Sequence, residues 1–128
     1  MLNKRIYSIF LAVFMVAALF TTASENPTEA KAVTMPDDVK AVIEKSCFGC
    51  HNTDSKNDKA KEKLDLKTLD NLTTPKMIHA LKEIGEVVEE DEMPPAKFLE
   101  KFPDKKLTDA EKKLLMDWAN KEAKALMQ

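Results

Sequence analysis

Cys47-Phe48-Gly49-Cys50-His51 carries the chemistry legible in this chain. Two thiols separated by two residues, with an imidazole directly after, form the attachment signature of c-type haem. Each thiol can add across a porphyrin vinyl group to give a thioether. The short turn between them then holds both sulfurs along one ring edge, and delivers His51 to the iron as the proximal ligand. These are the only two cysteines present, so the motif uses the whole thiol supply. Three other chemistries are open to the same residues. A thioredoxin-type dithiol would want a βαβ setting, and nothing around the motif reads as one. A zinc site would need a fourth donor, for which His79 is the one obvious candidate. A plain disulfide fits an oxidising compartment but leaves His51 unexplained.

An iron held by histidine either stays five-coordinate or takes a sixth ligand, and Met93 is the leading candidate. A thioether is a soft donor that favours ferrous iron and raises the reduction potential. Pro94 biases Met93 towards an extended backbone. Pro94 and Pro95 have fixed φ and no backbone donors, so they make a stiff loop able to hold one sulfur over a metal. The competitors have poorer settings. Met77 falls on the apolar face of a predicted helix and reads as core. Met116 lies off the inward stripe of the last predicted helix, and Met35 and Met127 lie near predicted ends. His79 would give a bis-histidine haem of lower potential, but it points away from the apolar face of its helix.

The elements that must position these residues read as helices. The chain has only two glycines and one tryptophan, and strand-like alternation is scarce. A first helix is expected from Pro36, with Asp37 and Asp38 at its positive end and Val39, Val42 and Ile43 as its buried stripe. It runs into the cysteine motif. Asn52 to Lys63 is almost wholly polar and reads as a surface loop. Its Lys56, Lys59, Lys61 and Lys63 read as solvated, with a partner-facing role as the alternative. Lys63-Leu64-Asp65-Leu66-Lys67 alternates, and reads as a short extended piece covering a haem edge with Leu64 and Leu66. Pro75 opens a second helix to about Glu90, with Met77, Ile78, Leu81, Ile84 and Val88 on one face. Gly85 lies on that face, where it would allow close approach of the haem or another helix, or be a weak spot. Glu89-Glu90-Asp91-Glu92 suits the negative end of the helix dipole badly, so fraying is expected before Met93. The last helix starts with a capping box, Thr108 and Glu111. Its expected inward stripe is Ala110, Leu114, Leu115, Trp118, Glu122, Ala125 and Leu126, with Trp118 a core residue that could sit beside the haem.

The N-terminus reads as an export signal. Lys4 and Arg5 precede an apolar stretch from Ile6 to Phe20, and small residues follow from Thr21 to Ser24. The alternative is an uncleaved anchor over Ile6 to Ala23, at the short limit for a membrane span. No cysteine stands directly after the apolar stretch, which excludes a lipoprotein anchor. The expected organisation is a signal peptide over 1–23, a flexible linker over 24–34 and a c-type haem-binding domain over 35–128. Export also suits haem c, which bacteria attach outside the cytoplasmic membrane. The expected location is therefore periplasmic, with attachment to the outer face of the inner membrane if the leader is retained. A domain this small has a marginal core, and a covalent haem would supply much of the missing apolar volume. The formal net charge of −2 falls by two more when Lys4 and Arg5 are removed. No basic stripe of the kind nucleic-acid binders carry is present.

The ordered set of segments resembles the bacterial haem-binding domain family of small exported c-type cytochromes. The resemblance runs from about Val39 to Asn120. It rests on the Cys47–His51 motif, on Ala60-Lys61-Glu62-Lys63-Leu64-Asp65-Leu66, on the stretch from Glu83 to Pro95 that ends in Met93-Pro94-Pro95, and on Leu107 to Trp118. The resemblance implies one covalent haem c on Cys47 and Cys50, His51 as proximal iron ligand, Met93 as distal ligand, and an all-α, cytochrome c-like fold wrapped around the haem. Some members carry a tryptophan- and proline-rich stretch soon after the motif, where this chain has its lysine-rich segment. The expected function is one-electron transfer between redox proteins, with membrane respiratory complexes among the partners, and not enzymatic turnover. A small peroxidase or a haem-based sensor would need an open or displaceable distal position. The acidic cluster from Glu86 to Glu92 could steer a basic partner, or be a solvated helix end.

Overall fold

The computed structural model describes residues 32–128. The expected signal peptide, and the expected linker up to residue 31, lie outside the described residues. Among the described residues there are five α-helices and no strand: α1 (Asp37–Ser46), α2 (Asp58–Lys63), α3 (Thr74–Glu89), α4 (Ala96–Leu99) and α5 (Asp109–Leu126). Two 3₁₀ turns, Leu69–Asn71 and Pro103–Lys105, complete the regular structure. The domain is all-α, as the composition predicts. None of these helices is long and apolar enough to cross a membrane.

The core is a seam between α3 and α5, with α1 laid against α5. Helix α3 contributes Met77, Leu81 and Val88; α5 contributes Leu115, Trp118, Ala119 and Ala123; α1 contributes Val39, Val42 and Ile43. Leu69 and Leu107 complete this cluster. Ala119 and Ala123 are four residues apart, and their small side chains let a neighbouring helix approach closely. Leu81 and Leu115 are fully excluded from solvent, so truncating either to alanine should cost about 2–5 kcal/mol. Gly85 is buried too, but no neighbouring atom lies within 4 Å of the place its Cβ would occupy. The glycine is therefore not required for close helix packing.

Three expectations need correction. The stretch from Asn52 to Lys63 is not all loop, because α2 forms within it. The Asn57 side chain accepts the Ala60 N–H at 3.2 Å, while Asp58 begins the helix and Lys61 and Lys63 end it, in accord with the dipole. This helix buries none of its residues, so hydrophobic periodicity left no trace of it. In α5, Ala110 is exposed, whereas Ala119 and Ala123 are core. The cap at Thr108 starts the helix at the surface, and its first turn stands outside the seam. Trp118 is core, but it does not face the cavity described below. Its indole N–H donates to the Thr34 carbonyl at 2.8 Å, and the Thr34 N–H donates to Glu122 at 3.2 Å. Val33 and Met35 pack against the core on either side of this contact.

Candidate cofactor site

The end of α1 sets the position of the cysteine motif. The Cys47 and Phe48 N–H groups both donate to the Ile43 carbonyl, at 2.8 and 2.9 Å. The Cys50 and His51 N–H groups then donate to the Cys47 carbonyl, at 3.1 and 3.0 Å. The motif is thus a tight turn continuing directly from the helix. Asn52 is buried behind it, donates to the Phe48 carbonyl and accepts the Asp54 N–H at 2.8 Å. Lys45, two residues before Cys47, reaches Glu111 in the first turn of α5. Both cysteines are unbridged thiols. Burial pushes the Cys47 thiol up to about 11, and the neighbouring Cys50 adds to that rise.

His51 is oriented by the segment after α2. Its Nδ1 lies 3.1 Å from the Leu64 carbonyl. A carbonyl can only accept, so Nδ1 carries the proton and Nε2 keeps its lone pair for a metal. The His51 carbonyl in turn accepts the Leu66 N–H at 3.1 Å. Leu64 is extended, at φ −153° and ψ 121°, and the chain then turns. The alternating segment therefore does two things: its backbone clamps His51, and Leu64 and Leu66 line the cavity.

Met93 is delivered by the C-terminus of α3. Asp91 stands in the left-handed region at φ 57°. The Glu92 N–H bonds the Val87 carbonyl at 2.9 Å and the Asp91 N–H bonds the Val88 carbonyl at 3.4 Å. This is a Schellman termination with aspartate where glycine is usual. Met93 also donates its N–H to Val87, at 3.2 Å. The helix stops at Glu89, ahead of Met93; these bonds satisfy the Val87 and Val88 carbonyls, and Lys112 of α5 pairs with Asp91. Pro94 is buried and, with Pro95, continues along the cavity wall.

These segments meet around one cavity of about 340 Å³, within the range of roughly 300–1,000 Å³ typical of ligand pockets. Cys47, Cys50, His51 and Met93 all line it. One side of α3 forms an apolar wall with Ala80, Ile84 and Val87, and Phe98 of α4 and Leu115 of α5 add to it. While Val88 belongs to both core and cavity wall, that α3 stripe is rotated from the core residues Met77 and Leu81. Its sequence signal was a second apolar row at helical spacing. Lys63, Glu83 and Glu92 are the charged residues of the lining.

The competing ligands lie elsewhere. His79 is exposed, with Nε2 3.6 Å from Glu83. Met77 is in the core, Met35 and Met116 pack against it, and Met127 is exposed. Among the described residues no group of three or more His, Cys, Asp or Glu side chains converges on a metal site, so the zinc alternative finds no donor set there.

The residues fit a haem. The lining is largely apolar, as a porphyrin face requires, and it includes two thiols, an imidazole and a thioether. Ser46 supplies a further sign. Its Oγ is buried without a hydrogen-bond partner on the cavity wall, and such an orphan is satisfied when a bound group brings an acceptor. No curated protein and no solved structure matches the chain. A family model described as haem-binding domain matches residues 54–121, more than half of the sequence. That match begins three residues after His51 and takes in the α3 wall, Met93 and most of α5. The chain belongs to the haem-binding domain family, and that membership supports a haem cofactor.

Proposed function

We propose that this protein is a one-electron carrier of the c-type cytochrome class, with one haem joined to Cys47 and Cys50 through thioethers and held by His51 and Met93. The bound iron would supply a reversible ferric–ferrous couple. The chain's own part is to hold two ligands still while the charge changes. His51 is fixed by its Nδ1 bond to Leu64, which leaves Nε2 as the donor atom. Met93 is fixed by the Val87 carbonyl and by the two prolines after it. A soft thioether donor from Met93 would favour the ferrous state, and the apolar wall from α3 would limit water in the cavity.

The observation that carries this reading is the meeting of Cys47, Cys50, His51 and Met93 at one cavity, while His79 and the other described methionines stand away from it. A carrier needs no substrate at the metal, so we propose electron transfer over peroxidase or sensor chemistry. We further propose that the protein works after export, in the periplasm or at the outer face of the inner membrane, with redox proteins such as membrane respiratory complexes as partners.

The test is to purify the exported protein from its host and record its mass and visible spectrum. The expected outcome is a mass increased by one haem that survives denaturation, and a six-coordinate low-spin spectrum with the far-red band of thioether–iron ligation. A polypeptide-only mass, or a high-spin ferric spectrum, overturns it.

A further inference from the structure

We propose that the turn from Lys97 to Phe102 is the docking surface for an acidic redox protein, with Phe98 and Phe102 linking the cofactor cavity to the outside. The inference rests on the carrier reading and adds where the electron leaves and what charge the partner carries.

Phe98 lines the cavity. Its ring packs on Phe102 with centroids 4.9 Å apart and planes inclined by 34°. Phe102 is 46 % exposed, one of two large hydrophobic residues left in solvent among those described. The two rings are four residues apart, and the helical turn that stacks them is held by the Phe102 N–H bond to the Phe98 carbonyl at 3.0 Å. One packed pair of side chains therefore runs from the cavity wall to a half-exposed ring at the surface. Electron tunnelling falls off steeply with gaps between atoms, so a continuous packed route favours exit here.

The charge around Phe102 indicates the partner. Lys97 and Lys101 are also four apart, run alongside the aromatic pair, are exposed, and form no ion pair among the described residues. Lys105 and Lys106 follow, against Glu100 and Asp104, and Asp104 is paired with Lys105 at 3.3 Å. The segment is net positive in a chain that is net negative. A small apolar centre with a charged rim is the anatomy of a transient interface. An acidic partner would be drawn to this rim and turned away from the acidic end of α3. Transfer is of a single electron: ferrous iron becomes ferric while the partner's cupric centre, in the probe below, becomes cuprous. No bond forms or breaks and no proton moves.

The probe is an acidic blue-copper protein, titrated in its cuprous form into isotope-labelled reduced holoprotein while amide shifts are recorded. The expected shifts cluster on residues 97–106. The double variant Lys97→Glu/Lys101→Glu should bind about fivefold more weakly at low ionic strength, with the difference shrinking as salt is added. Phe102→Ser should slow oxidation of the ferrous holoprotein by the cupric probe about threefold even at high salt, where steering is screened. Shifts clustered on the acidic end of α3, or binding and rates within about twofold of wild type in both variants, would overturn the surface. Voltammetry separates the two readings. A reversible wave with unaffected variants removes only this surface, whereas a holoprotein with no reversible wave removes the carrier reading and the surface together.

Discussion

Lys45 Nζ lies 2.6 and 2.7 Å from the two carboxylate oxygens of Glu111, tying the end of α1 to the start of α5. Glu111 also accepts the Thr108 N–H at 2.8 Å, so one carboxylate completes the cap of α5 and braces the turn that carries the cysteines. The Lys45 bond, then the Thr108 backbone N–H, hold the Glu111 carboxyl below its usual range. A depressed carboxylate adds stability that is present above its unfolded pKa and lost as pH falls through the folded one. Glu111→Gln keeps the capping-box shape but not the charge. It should cost about 0.5–1 kcal/mol near neutrality, and the gap should close in acid. Melting temperature against pH, from about pH 7 to about pH 3, checks both the cost and the closure.

Asp91 sits at φ 57°, a region costly for residues with a Cβ and tolerated best by Asn, Asp and Gly. A β-branched residue there should fare worst. Asp91→Val is expected to lose about 1–3 kcal/mol and to loosen Met93, whereas Asp91→Asn should come close to wild type in stability. Denaturant unfolding, with the ligand-band intensity of the folded holoprotein alongside, measures both effects. Equal stability of the Val and Asn variants would contradict the Schellman account.

Gly85 is buried with open space at its Cβ position. Gly85→Ala should therefore meet no clash and raise stability by about 1 kcal/mol through helix propensity. Urea unfolding of the purified protein gives the sign. A destabilised variant would mean that the space beside this glycine is needed.

Met93→Ala should abolish the thioether–iron band and lower the reduction potential, since a soft donor to ferrous iron is removed. The haem should stay attached, because Cys47 and Cys50 are untouched. Visible spectra and potentiometric titration decide it, and a variant with the wild-type spectrum would refute Met93 as ligand. Met77→Leu, in the core and away from the cavity, should leave the band in place and serves as the control.

Cys47→Ser with Cys50→Ser should yield protein without covalent haem and with lower stability. The cavity wall of Ala80, Ile84, Val87 and Phe98 would lose its apolar filler, and a domain of this size has little core to spare. Mass spectrometry and thermal melts are the measurements. A double variant as stable as the holoprotein would show that the cofactor is not part of the core.

How much was legible beforehand depends on whether a feature is local. The Cys47–His51 spacing, the Thr108–Glu111 box and the apolar periods of α1 and α3 are relations between residues a few positions apart, so the sequence by itself determined them. Met93 stood out because two prolines follow it. What lay beyond the sequence were relations across the chain. Helix α2 escaped because it buries nothing and rests on its Asn57 cap. Asp91 looked like a disruptive charge until its left-handed backbone and its Lys112 partner were seen together. The tertiary structure alone decided that the Leu64 carbonyl fixes the His51 tautomer, that Trp118 is held by Thr34 and stands away from the cavity, and that Phe98 reaches the cavity while Phe102 reaches solvent. Hydrogen-bond partners 13 and 84 residues apart leave no periodic mark in a sequence, because only packing of the helices brings them within range.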